Sequence, residues 1–233
     1  MKPASPPGVR SQGPELAALN VDAGNHPVCT DPDELRAALQ AGERSWRRFT
    51  YYEQRYAERG QRFTRSDSAW LVTLAGQEAA LIDDRIRWLG RLLASRGMPR
   101  WLLELHLESL HDELTAILPG RAKIYQSLLD AAQMLRTERH SHIDESVFTA
   151  LTAAFAAEVG DEWNARWPET GTLLVAAVAD ESAGITQAVT SIVGWMTDPT
   201  RFPDHWCAAV ERTIAAAREQ ARPAPDSELA VRP

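Results

Sequence analysis

The sequence predicts an all-α protein, a single bundle-like domain of about seven helices between disordered termini. Apolar residues recur every three or four positions through most of the chain, which is the spacing of one face of an α-helix. The period-two alternation of strands and the Asn-Gly or Asp-Gly pairs of hairpins are missing. Hydrophobic residues make up 44% of the 233 residues, which is enough for one sizeable core.

Composition sets the domain boundaries. Residues 1–30 are rich in Pro, Gly and Ser without a hydrophobic period, so we expect a disordered N-terminal arm. We expect residues 31–221 to form the helical domain and residues 222–233 to form a flexible tail. The domain opens with a short helix in TDPDELRAALQAG, which Thr30 or Asp31 caps and Gly42 ends.

The longer helices are each marked by an apolar seam and by start or stop signals. Gly60 ends the first of them, Ser66 or Asp67 caps the second, and a Pro-Gly pair closes the third. We expect these helices over the following ranges: 44–60, 67–97, 99–118, 121–139, 143–159, 171–196 and 204–221.

Charge and motifs exclude several classes of function. A net charge of -7 argues against binding nucleic acid, which needs a positive field. No apolar run approaches the roughly 20 residues of a membrane helix, and the N-terminus lacks the apolar segment of a signal peptide, so we expect a cytoplasmic protein without a membrane partner. Cys29 and Cys207 form no C-x-x-C pair. Nucleophile-elbow, P-loop and Rossmann motifs are missing, so whether the protein is an enzyme stays open.

One stretch, RWLLELHLESLHDEL at 100–114, allows two interpretations. Glu104, Glu108 and His111 lie four and three residues apart, which places them along one stripe of a helix. An apolar seam runs beside this stripe and consists of four leucines: Leu103, Leu107, Leu110 and Leu114. The stripe is either a metal-binding edge or the wet flank of a core helix. We favour the wet flank, with Arg85 or Arg91 of the preceding helix as an ion-pair partner.

The Glu108-x-x-His111 unit resembles the Glu-x-x-His unit of carboxylate-bridged di-iron bundles. This resemblance implies a non-heme iron site with Glu104, Glu108 and His111 as ligands. Such bundles need a second unit of the same kind and a glutamate from each of two further helices. The best second pair, Glu138 and His142, is spaced by four residues instead of three.

Heme is the other iron hypothesis. The order of the first five helices is similar to that of a globin, and this similarity implies a heme with His106 or His111 as axial ligand. Tyr52 or Tyr56 would then face the distal side. A shared layout of helices is a weak basis for function, and no motif here is extensive enough to transfer a family's residues.

The chain has eight tryptophans, which are many for its length. They indicate either bulky core side chains where helices cross or a pocket with aromatic walls. For such a pocket we expect Trp88, Trp101, Tyr52 and Tyr56 as ligand-binding residues. The leading hypothesis is a helical regulatory or interaction module, a homodimer, that binds a partner protein or a small ligand in a Trp-lined cleft. A heme or non-heme iron protein is the alternative.

Overall fold

The computed structural model describes residues 26–222, and this part of the chain is all-helical, as the sequence predicts. It also contains one short 3-10 turn, Pro119–Arg121. The described residues form nine α-helices: α1 (Pro32–Arg48), α2 (Thr50–Leu74), α3 (Ala79–Ala94), α4 (Arg100–Ile117), α5 (Ala122–His142), α6 (Glu145–Arg166), α7 (Thr170–Ser182), α8 (Ala188–Met196) and α9 (Asp204–Gln220).

The predicted arm and tail lie mostly outside the described residues. Residues 26–30 precede α1 without regular secondary structure. Within them the Cys29 side chain is buried, and its backbone N–H donates to the carbonyl of Ala69 at 3.0 Å. This part of the predicted arm is therefore packed against α2.

Two of the predicted helices are each divided in two, at glycines with positive φ. The helix expected over 67–97 is interrupted where Gly76 has a φ of 82°, and the one expected over 171–196 is interrupted where Gly184 has a φ of 89°. Glycine adopts this conformation without the Cβ clash that other residues meet. The helix count is therefore higher than predicted.

Two other glycines, Gly42 and Gly60, were predicted to end helices, and that prediction is wrong. α1 and α2 continue through them. A Cβ atom on Gly42 would lie 3.1 Å from the Ser68 hydroxyl oxygen, and one on Gly60 would lie 3.0 Å from the Trp46 ring. Both glycines are therefore places of close side-chain approach where α1 packs on α2.

The apolar residues form two large clusters. One lies among α1–α5 and includes the predicted leucine seam of α4, whose four members are all buried. The other surrounds α7, which contacts α4, α5, α6, α8 and α9 and is buried from Thr170 to Asp180. None of the helices in residues 26–222 is long and apolar enough to cross a membrane.

One buried ion pair and two part-exposed ones join these two clusters. The backbone N–H and the Nε of Arg100 donate to the two carboxylate oxygens of Asp180 at 2.8 and 2.6 Å. Its Nη1 donates to Glu138 at 2.7 Å, and Arg87 donates to the other oxygen of Glu138 at 2.6 Å. Side chains of α3, α4, α5 and α7 are thus connected in one network, which fixes α4 between the two halves of the domain.

Candidate functional site

A cavity of about 810 Å³ lies between α1, α2, α3 and α4. Ligand sites for drug-sized molecules commonly have volumes of roughly 300–1,000 Å³ and mainly apolar walls. Leucines of α3 and α4 form one part of the wall, and aromatic rings form the rest. The six aromatic residues are Trp46, Tyr52, Tyr56, Phe63, Trp70 and Trp88.

Contacts between rings hold the aromatic wall in place at both ends. Trp46 stacks on Tyr52 with ring centroids 5.7 Å apart and planes within 9°. At the other end Trp70 meets Trp88 edge-on at 6.1 Å, and His26 packs against both of them. Such contacts orient rings as well as burying them, so the rings of the wall hold one another in place.

α2 supplies the largest share of the wall because one of its faces is turned toward the cavity. Gly60, Phe63, Asp67 and Trp70 follow one another at intervals of three or four residues, which brings them onto the same side of a helix. Between this face and the two tyrosines α2 is kinked at Ala57, where φ is 47° and ψ is -150°. The kink sets the angle at which the two parts of the wall meet.

His106 is buried on α4 and lines the cavity between two serines. Its Nδ1 lies 2.8 Å from the Ser45 hydroxyl oxygen and its Nε2 lies 2.9 Å from that of Ser68. The Ser68 hydroxyl donates its only proton to the Thr64 carbonyl at 2.6 Å. Nε2–H therefore donates to Ser68, and Nδ1 accepts from Ser45. Burial lowers the pKa of His106 to about 4, so the ring is neutral at pH 7.

Asp67 is the acidic residue of the cavity wall. Burial raises the pKa of its carboxyl to about 6, and the nearby positive charge of Arg96 opposes this increase. Within residues 26–222 no donor forms a hydrogen bond with the carboxyl and no cation forms an ion pair with it. Two arginines, Arg59 and Arg96, also line the cavity at exposed positions, and the Arg59 guanidinium lies 5.7 Å from the centroid of Phe63.

The structure brings three of the four predicted ligand-binding residues to this cavity. Tyr52, Tyr56 and Trp88 all line it. Trp101 does not, because its ring is buried in the core and packs edge-on against Phe49 at 5.7 Å. Helical spacing alone could not distinguish these two environments for a tryptophan.

Sequence reasoning missed Trp46, Trp70, Asp67 and His106 as wall residues. Asp67 was interpreted as a helix cap, whereas it lies in the middle of α2. The missed signal is its spacing from the rings of the same helix, since Phe63 lies four residues before it and Trp70 three after it. That spacing is informative only if α2 is recognised as one helix through Gly60.

The Glu104–Glu108–His111 stripe was expected to be a solvent-exposed flank of α4, and for Glu104 that expectation is wrong. Glu104 is only 1% exposed and accepts hydrogen bonds from Nε and Nη2 of Arg139 at 3.0 and 3.1 Å. Glu108 is half-buried and paired with Arg136. Both arginines belong to α5, whereas the predicted partners belong to the helix before α4. The stripe therefore lies along the α4–α5 interface.

These three residues do not fit an iron site. The carboxylates of Glu104 and Glu108 are already bound by arginine, and a guanidinium cannot be a neighbour of a cation without strong repulsion. Across residues 26–222 no group of three His, Cys, Asp or Glu side chains could hold a metal ion. Of the two histidines considered for heme, only His106 lines the cavity, and both of its ring nitrogens are hydrogen-bonded to serines.

No protein-family model, curated protein or solved structure matches this chain. The geometry of the cavity is therefore the basis for a proposal of function.

Proposed function

We propose that the protein binds a small, largely apolar ligand in the cavity between α1, α2, α3 and α4. The observation that supports this is the combination of about 810 Å³ of space, six aromatic rings and a few polar groups in one wall. An apolar ligand in this space would bury its surface against the leucines and the rings, and burial of apolar surface favours binding.

The experiment is a fluorescence titration with N-phenyl-1-naphthylamine, an uncharged probe whose emission rises in apolar surroundings. Leu92, on α3, is half-buried and lines the cavity, so Leu92→Trp would place a larger side chain in the space. Leu39 is a half-buried leucine of α1 that packs on the core outside the cavity, which makes Leu39→Trp the matched control.

We expect saturable binding to the wild-type protein and to Leu39→Trp, and weaker binding to Leu92→Trp. Circular dichroism and melting temperature would show that both variants are folded. Binding that survives unchanged in Leu92→Trp, or wild-type protein without saturable binding, would contradict the proposal.

A homodimer is the second proposal, and one surface feature favours it. Leu81 and Trp88 are exposed by 41% and 46%, and they lie two turns apart on the same face of α3. Ile124 at the start of α5 is exposed by 46%. Sedimentation equilibrium of the wild-type protein and of Leu81→Glu tests this directly, because a charge on that face would dissociate a dimer that uses it. A wild-type monomer at all concentrations would refute it.

A further inference from the structure

We propose that the ligand of this cavity is a cation with an apolar body, an ammonium compound whose charge is bound between Asp67 and the aromatic wall. This inference rests on the proposed function and adds the chemical class of the ligand. It follows from the position of Asp67, from the rings that flank it and from the exposure of the arginines.

The Asp67 side chain is part-buried and lines the cavity, and its carboxyl accepts no hydrogen bond and forms no ion pair among residues 26–222. Two acids that are almost fully buried are each paired: Glu104 is bound by Arg139, and Asp180 is bound by Arg100. A carboxylate that is partly removed from water attracts a cation more strongly than one in open solvent. A bound cation would therefore find an unpaired carboxylate in the wall of this cavity.

The rings beside Asp67 suit a cation as well. Trp70 is its neighbour on the same helix face, and Trp46 and Tyr52 line the same cavity. Phe63 and Tyr56 also line it, but their rings already lie beside the guanidinium groups of Arg59 and Arg55. The faces of aromatic rings carry negative charge density, and quaternary ammonium groups are commonly bound by several rings with a carboxylate nearby. The wall would thus surround both the charge and the apolar body of the ligand.

Arg59 and Arg96 would repel a cationic ligand, but inside the cavity this repulsion is weaker than the attraction by Asp67. Both side chains are exposed, so water and salt screen their fields. Asp67 is less exposed, and charges separated from water interact more strongly. An anionic ligand that entered the cavity would meet the carboxylate of Asp67 in this poorly screened region.

The test compares three probes of the same shape by isothermal titration calorimetry at pH 7.5. They are benzyltrimethylammonium, its uncharged carbon analogue neopentylbenzene, and the anion phenylmethanesulfonate. We expect the cation to bind more tightly than the hydrocarbon and the anion to bind most weakly. Asp67→Asn should weaken binding of the cation about tenfold and leave binding of neopentylbenzene unchanged.

A second variant keeps the test independent of Asp67. Arg96→Gln removes an exposed charge that competes with the ligand, so affinity for benzyltrimethylammonium should rise about two- to threefold. Equal or tighter binding of the anion, an unchanged cation affinity in Asp67→Asn, or no gain in Arg96→Gln would overturn the cation inference. The proposed cavity function would still stand if neopentylbenzene bound, if Leu92→Trp weakened that binding and if the cation did not bind. Binding of none of the three probes would overturn both.

Discussion

Replacing Asp67 with asparagine should stabilise the protein above pH 6 and change its stability little at pH 4. The carboxyl has a pKa of about 6 in the folded protein because burial disfavours its charged form, and 3.8 is its ordinary value. A raised pKa means that the protonated carboxyl is the better tolerated form. Its contribution to stability is complete below pH 3.8 and is lost as the pH rises through 6.

The magnitude follows from the two pKa values. Each unit of difference corresponds to about 1.4 kcal/mol, so ionised Asp67 lowers the free energy of unfolding by at most about 3 kcal/mol. Asparagine has a similar shape and no charge, so the variant avoids this loss. We expect its advantage over wild-type protein to grow from near zero at pH 4 toward this limit at pH 8.

Urea unfolding followed by circular dichroism at pH 4, 5, 6, 7 and 8 measures this difference. Asp161→Asn is the control, because Asp161 is an exposed aspartate of α6 that has no role in the cavity. It shows what the same substitution does at a position outside the cavity. A difference between Asp67→Asn and wild-type protein that is constant from pH 4 to pH 8 would refute the assignment of Asp67 as a desolvated carboxyl.

His106 gives the opposite slope over the same pH range. Its pKa falls from 6.5 to about 4 on folding because burial disfavours the imidazolium. The neutral ring therefore contributes stability that is present above pH 6.5 and is lost as the pH falls through 4, up to about 3 kcal/mol in total. Between pH 4 and pH 6 the pH dependence of stability that comes from Asp67 is therefore nearly cancelled by the one that comes from His106. In His106→Gln the deficit relative to wild-type protein should shrink by up to that amount as the pH is lowered from 7 to 4, and a deficit that stays constant would contradict this.

Two pairs of substitutions, compared by urea unfolding at pH 7, test the packing, and a fifth substitution, followed by its melting temperature, tests the backbone. Glu104→Gln should cost about 3–5 kcal/mol because it removes the buried carboxylate that binds two nitrogens of Arg139 and leaves that guanidinium only its contact with Glu145. Glu108→Gln, one turn away and half-buried, should cost about 0–1 kcal/mol. Equal losses would contradict the burial of Glu104. Leu107→Ala should cost about 2–5 kcal/mol because Leu107 is fully buried, and Leu105→Ala, at a half-buried position, should cost less than half as much. Ala57→Gly should raise the melting temperature because it relieves a strained positive φ, and a lower value would refute strain there.

α4 is an example of how much of the fold the sequence predicts. The 4-3-4 spacing of its leucines predicts a helix over 99–118 with one buried seam, and the structure has Arg100–Ile117 with that seam buried. Such a pattern is local, because the pitch of a helix alone decides which side chains share a face. The helices and the all-α class could therefore be predicted without knowing how they pack.

The candidate site depended on packing, and the sequence predicted only part of it. Tyr52, Tyr56 and Trp88 were expected at a ligand site, but Asp67 was taken for a helix cap because Ser and Asp before an apolar run are typical of helix starts. Gly60 was taken for a helix end by an equally local rule. Its role depends on the Trp46 ring of another helix, which lies against it.

The sequence by itself determined that the chain forms amphipathic helices, where most of them run, and that tryptophans and tyrosines are available to line a pocket. Only the tertiary structure decided that Glu104 is buried against Arg139, that Trp101 is in the core and that Asp67 faces a cavity. The physical reason is that helical periodicity sets the angle between side chains around one axis. Helices that are distant in sequence decide whether a side chain at a given angle contacts water, an arginine or an aromatic ring.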